Sequence, residues 1–292
     1  MLTQRRDDRS LIARIRSRGL SIKKRKKRVP VAVYPSAVEM AMRRDLLQIT
    51  RAARTILQRV LLPRLPLIME QAKLLQRSDA DERRDDYASI ITQVFGEIRV
   101  EFERVFASAA RSATTMAARR VAEHSRSQLD KQIKAVVGVD VLQDESWLNP
   151  FIDGFVSQNV DLIRSIPARF FSDIETAVRD AALSGQRVES LALDIESRYD
   201  VSESRARLIA RDQVSKLNGD ITQVRQTRLG IKTFTWSTSM DERVRASHKA
   251  KEGKVYNWAS PPTDTGKPGD DYQCRCVALP NFDEIEAAID SE

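Results

Sequence analysis

Cysteine occurs only twice in the 292 residues, at Cys274 and Cys276 of QCRCV near the C-terminus. Upstream, SMDERVRASHKA places Asp241, Arg245 and His248 at i, i+4 and i+7. On a helix these three side chains share a face, and on a strand the two thiols share a face while Arg275 points away. Ser239 followed three residues later by Glu242 is a capping box that would start the helix there. Two thiolates and an imidazole are preferred zinc ligands, and Asp241 would supply the fourth in a closed structural site. Zinc ribbons and fingers use C-x-x-C knuckles, however, and C-x-C matches them less well. A second reading makes both cysteines small buried hydrophobes, with Asp241 paired to Arg245 and His248 satisfied nearby. A redox role is the third. A disulfide between the two is disfavoured, because a C-x-C ring is small and strained.

Catalytic patterns are sparse. The H-x-E of a deaminase is missing, since Lys249 and Ala250 follow His248, and the cysteines have the wrong spacing. The chain has no G-x-S-x-G, and Ser247 is merely next to His248 in sequence. It contains no Walker loop, G-x-G-x-x-G or H-E-x-x-H. The expectation is a protein that is not an enzyme. The alternative is an enzyme or toxin-like activity centred on His248 and the C-x-C pair, with a Cys–His nucleophile pairing left open.

Helices must carry most of the chain. PSAVEMAMRRDLL opens a helical pattern that runs from Ser36 to Leu62, interrupted by Pro63 and Pro66. Between Tyr87 and Met116, apolar or small residues recur by steps of 3 and 4 in an eleven-residue repeat, which keeps one stripe on a nearly straight helix. The stripe reads as a packing seam, and His124 beyond it as a surface residue. Gly138 breaks the pattern. Three shorter helices are expected next, with Pro167 in the first turn of the second and Gly185 at its C-cap. A last amphipathic helix carries Ile209, Val214, Leu217, Ile221 and Val224 on one side and stops at Gly230. Thereafter IKTFTWST has β-formers with Phe234 and Trp236 on one face, a Pro- and Gly-rich loop follows, and YQCRCVALP alternates again. The expected fold is mostly α: an elongated helical N-terminal region with a small C-terminal α+β module. Its expected divisions are a basic, flexible arm over residues 1–30, a long-helix region over 31–138, a helical domain over 139–230 and the α+β module over 231–292.

The net charge of +8 is unevenly placed. Residues 1–28 hold twelve Lys or Arg and two Asp, leaving 37 bases and 39 acids in the remainder. The block Lys23, Lys24, Arg25, Lys26, Lys27 and Arg28 is expected to stay mobile until it meets a polyanion, because like charges repel and little apolar surface offsets ordering. Double-stranded DNA, bound without sequence preference through its phosphates, is the expected partner of this block, and a solvated tail is the bland alternative. No aromatic is interleaved with these charges, so base stacking is not indicated. No run of eighteen apolar residues and no secretory signal is visible, so synthesis in a cytoplasm and no membrane partner are expected.

The order IARDQVSKLNG, GIKTFTWSTSMDERVRASHKAKEGKVY, a Pro-rich loop and CRCVALP resembles the phage Mu F-like minor head proteins, the phage head morphogenesis family. Its markers here are Trp236, Asp241, Arg243, Arg245, His248, Gly253, Cys274, Arg275, Cys276 and Pro280. The resemblance covers residues from about 200 to 280, with weaker helical similarity from about residue 145. The resemblance implies a minor capsid protein of a tailed phage or prophage, located in the virion, inside the head and near the portal. It implies roles in head assembly and in DNA packaging or ejection, with the portal protein as partner and the major capsid or scaffold protein as further ones.

Overall fold

The computed structural model describes residues 11–17, 29–76, 84–106, 108–138, 145–283, 285 and 287. The chain is mostly helical, as expected, and ends in a three-stranded antiparallel sheet. The helices are α1 (Leu11–Ser17), α2 (Ser36–Val60), α3 (Leu65–Gln76), α4 (Arg84–Phe106), α5 (Ala109–Val137), α6 (Leu148–Ser184) and α7 (Val188–Arg228). Strand β1 (Thr233–Ser237), the short helix α8 (Ala246–Lys249), β2 (Val255–Asn257) and β3 (Val277–Pro280) complete the fold. Among the described residues no helix is long and apolar enough to cross a membrane.

Two compact units form, and neither is a single stretch of sequence. The first takes Met1–Glu39, Ala117–Ile152 and Arg211–Glu292, the second Met40–Met116 and Asp153–Ala210. Their boundaries fall inside α2, α5, α6 and α7, whereas the sequence pattern divides the chain near Gly138 and Gly230.

In the second unit, the seam expected along one helix is carried by two, α4 and α5, with Ser108 in a turn between them. Ile91, Val94, Ile98, Phe102 and Ala113 are buried along it, but Met116 is exposed. Phe102 meets Phe171 edge-on, with ring centroids 5.3 Å apart. Pro167 does not start a helix as expected; it lies within α6. An interior proline costs about 3 kcal/mol, while each fully buried Ile or Phe contributes roughly 1.5–3 kcal/mol. Ile163, Ile166, Phe170, Phe171 and Ile174 are all buried around it, so burial carries the helix through. The break expected between the third short helix and the last amphipathic one, which the sequence pattern puts near Asp200, is also absent, because α7 is continuous. Tyr199 donates to Glu203 at 2.7 Å across that point, and Arg207 pairs with Glu203 four residues on, ties of the kind that support a helix.

In the first unit, part of the leader is folded. Leu11 and Ile15 of α1 are buried with Leu129, Ile133, Leu229, Ile231, Phe282 and Ile285, and the Leu11 amide donates to the Leu229 carbonyl at 2.7 Å. The expectation of a flexible arm over residues 1–30 therefore fails at Leu11–Ser17: LIARI spaces its apolar residues to cover one small hydrophobic surface despite the surrounding charge. His124, expected as a plain surface residue, hydrogen-bonds the Val33 carbonyl at 2.7 Å.

Ile15→Ala is expected to lower unfolding free energy by about 2 kcal/mol, as for a buried Ile truncation. Denaturant titration of the full chain measures it, and no change would mean that α1 is not held.

Candidate functional site

The sheet orders its strands β2-β1-β3, with β1 pairing antiparallel to both neighbours. Alternation puts Phe234 and Trp236 of β1 on the buried face, as the sequence predicts. With Trp258, Cys274, Cys276 and Ala278 they form the module's core. The strand expected over residues 272–280 begins only at Val277, so both cysteines lie in the lead-in, where Gln273 adopts a positive φ of 52°. Both thiols are nevertheless buried and free of any disulfide.

The helix expected from Ser239 is only α8. Met240 has a positive φ of 58°, and the Asp241 carboxylate accepts from the Arg243 amide at 3.1 Å, so residues 241–244 form a turn. That turn separates residues that a continuous helix would have aligned. Asp241 pairs with Arg275 at 2.6 Å, and Arg245 pairs with the Asp271 carboxylate and donates to the Tyr272 carbonyl. Neither the expected Asp241–Arg245 pair nor the convergence of Asp241 on the thiols occurs.

His248 does reach them. Its buried ring stands edge-on to Trp236, centroids 5.5 Å apart, with Nδ1 3.3 Å from Cys276 Sγ and 3.6 Å from Cys274 Sγ. Its Nε2 lies 2.8 Å from a carboxylate oxygen of Asp271. The ligand atoms of His248, Cys274 and Cys276 all fall within 4.8 Å of one another, the group among the described residues that could hold a metal ion.

The electrostatics follow from these contacts. A hydrogen bond from Cys276 to Cys274 pulls the Cys274 thiol down to about 6 against the opposing effect of burial, helped by backbone amides of Cys276 and Gly269. The same bond, burial and the charge on Cys274 push Cys276 far up. Two adjacent thiols thus titrate as a pair that gives up one proton readily and holds the second. Burial works against ionisation of Asp271, but the bond from His248, the Tyr272 amide and the charge of Arg245 outweigh it and hold its carboxyl below the usual range.

Helix α7 holds the cysteine loop in place. Ser215 donates to the Cys274 carbonyl, and Lys267 from the loop pairs with Asp220 at 2.9 Å. The backbones nearly touch: a Cβ on Gly219 would lie 2.3 Å from the Pro268 carbonyl oxygen, and one on Gly269, whose φ is 105°, would lie 2.5 Å from that of Ser215. Beside the thiols a cavity of about 310 Å³ is lined by Arg211, Arg243, Arg245 and Arg275 as well as by His248, Cys274 and Cys276.

Sequence reasoning misses Asp271, although an acid three residues before a cysteine, in DDYQC, is a visible signal. It also misses Gly219, which sits inside an amphipathic helix where glycine costs about 1 kcal/mol relative to alanine, a hint of close approach. Lys23, Lys24, Arg25, Lys26, Lys27 and Arg28 lie outside the described residues.

Residues 172–279 match the family described as Phage Mu protein F like protein. Over these residues the chain is similar to phage Mu F-like proteins. The matched region contains the whole His248, Asp271, Cys274 and Cys276 cluster and reaches back into α6, into the stretch from residue 145 where the resemblance read from the sequence is weaker. An uncharacterized protein of Haemophilus influenzae is 36% identical over 168 residues, 56% of this chain. The chain spans only 38% of that relative's length. No solved structure matches the chain.

Gly219→Ala is expected to push the 268–269 loop off α7 and cost about 1–3 kcal/mol, the usual range for overpacking. Melting temperature should fall and both thiols should react faster with an aromatic disulfide reagent. Unchanged values for both would show that the close approach is not a constraint.

Proposed function

We propose that this chain is a phage head morphogenesis protein, a minor component of the head that sits near the portal and meets packaged DNA through Lys23–Arg28. The single observation that carries the reading is the Mu F-like match over residues 172–279. The ordered α+β module supports it, because its core and its loop contacts are built from residues inside that match. A module of this kind acts by presenting a folded surface to a partner, and the proposal assigns no catalytic step to it. The major capsid or scaffold protein is a further partner in the proposal, and the virion is its location.

The basic block supports the DNA part. Six Lys and Arg in a row neutralise phosphates without reading bases, and each phosphate contact contributes about −0.9 to the slope of log affinity against log salt. The buried α1 changes how this must be tested. Deleting residues 1–28 would remove Leu11 and Ile15 from a core, so loss of binding could reflect misfolding.

Replacing Lys23, Lys24, Arg25, Lys26, Lys27 and Arg28 with Gln keeps α1 and should flatten the slope for duplex DNA by about 5, from six contacts at the stated increment. An unchanged slope would remove the arm from the proposal. Co-expression with the portal protein of the same phage or prophage should give co-purification that survives moderate salt. Repeated absence of the complex would refute portal docking.

A further inference from the structure

We propose that His248 Nδ1 and the sulfurs of Cys274 and Cys276 are three ligands of one zinc ion, with water as the fourth. Donor type is the first support, since soft thiolates with an imidazole suit zinc in a reducing compartment. Geometry is the second. A tetrahedral ion with bonds of about 2.3 Å to sulfur and about 2.0–2.1 Å to nitrogen separates those two atoms by about 3.6 Å. Here the two separations are 3.3 and 3.6 Å, so His248 and the thiols already stand at the edges of such a tetrahedron.

Orientation is the third and most specific support. A zinc-bound histidine characteristically donates its other ring N–H to a carboxylate or carbonyl, which fixes tautomer and ring direction. Asp271 stands 2.8 Å from Nε2, and Arg245 in turn holds Asp271. With the proton on Nε2, the Nδ1 lone pair faces the two sulfurs. Asp271 is therefore a positioning residue, not a ligand. The Cys276 amide, 3.4 Å from Cys274 Sγ, points a donor at a sulfur that would carry charge.

Asp241, the fourth ligand expected from the sequence, is committed to Arg275 at 2.6 Å. The cavity that His248, Cys274 and Cys276 line gives room for a water instead. A metal also answers a structural need: strands of five, three and four residues secure the long loop between β2 and β3 only weakly, and small loop-rich units commonly rely on such a staple.

The test uses untagged full-length protein purified under reducing conditions. Elemental analysis should find about one zinc per chain, and cobalt(II) exchanged into the site should give intense thiolate-to-cobalt charge transfer with a tetrahedral d–d pattern. Cys274→Ser should weaken that charge transfer. Asp271→Asn should keep the spectrum but loosen cobalt by roughly 10–100-fold, the usual cost of losing an orienting partner. Should the cysteine variant fail to fold, zinc protection of both wild-type thiols from an aromatic disulfide reagent, reversed by a chelator, supports the site equally, and thiols that react at the same rate with and without zinc count against it. Reduced wild-type chain that retains neither zinc nor cobalt after equimolar loading, or binds cobalt without thiolate charge transfer, overturns the proposal. None of these outcomes depends on whether the chain acts in a phage head.

Discussion

The contact between the backbone of α7 at Gly219 and the loop at Pro268 and Gly269 is the constraint on which the C-terminal module depends. No side chain fits between these segments, so the loop can lie flat on the helix only where both lack a Cβ. Once it lies there, Ser215 reaches the Cys274 carbonyl, Asp220 reaches Lys267, and the Asp212 carboxylate accepts from the Gln273 amide at 3.4 Å. Farther along the same helix, Gln226 donates to the Ala278 carbonyl and accepts from the Trp258 indole at 3.1 Å. One helix therefore sets the positions of the cysteine loop, of β3 and of the aromatic core. The strands alone are too short to do this.

Buried polarity reinforces the same helix. Arg225 is buried and forks onto Glu145 at 2.6 and 2.8 Å while donating to the Ala122 carbonyl at 2.7 Å. Desolvating such a pair costs much of what its attraction returns, so its net stabilisation is small. Its effect is directional: a planar fork accepts few alternative partners, which fixes the register of α7 against α5 and residue 145. Tyr34 adds a related constraint near the start of the unit. Its hydroxyl is pushed well above the ordinary tyrosine range by burial and by the neighbouring Glu39 carboxylate, which itself pairs with Arg211 at 2.9 Å.

Helical content, the buried face of β1 and the stop at Gly230 were legible because each follows from local periodicity or from a glycine at a terminus. Helix boundaries were less so. Pro167 and the polar run near Asp200 look like breaks by local rules, and only the surrounding buried Ile and Phe side chains and the Tyr199–Glu203 bond carry the chain across. Leu11 and Ile15 are obscured by the charge around them, since an average over twenty-eight residues hides a seven-residue amphipathic turn. In the candidate site, the spacing of His248, Cys274 and Cys276 points to a converging set and the fold brings them together, whereas Asp241 joins that set only through helical spacing that the positive φ of Met240 abolishes.

The amino-acid sequence by itself determined the residue chemistry: two thiols, one nearby imidazole, a concentrated cationic block and the ordered markers of a Mu F-like region. Periodicity also determined that these sit on a largely helical chain with a short β ending. Only the tertiary structure decided which carboxylate faces His248, because Asp241 and Asp271 are equally available in one dimension and differ only in how a turn and a loop fold back. It also decided that α1 belongs to a core and that each compact unit is assembled from distant stretches. Those outcomes depend on burial and close approach between segments far apart in sequence, and local spacing carries no information about either.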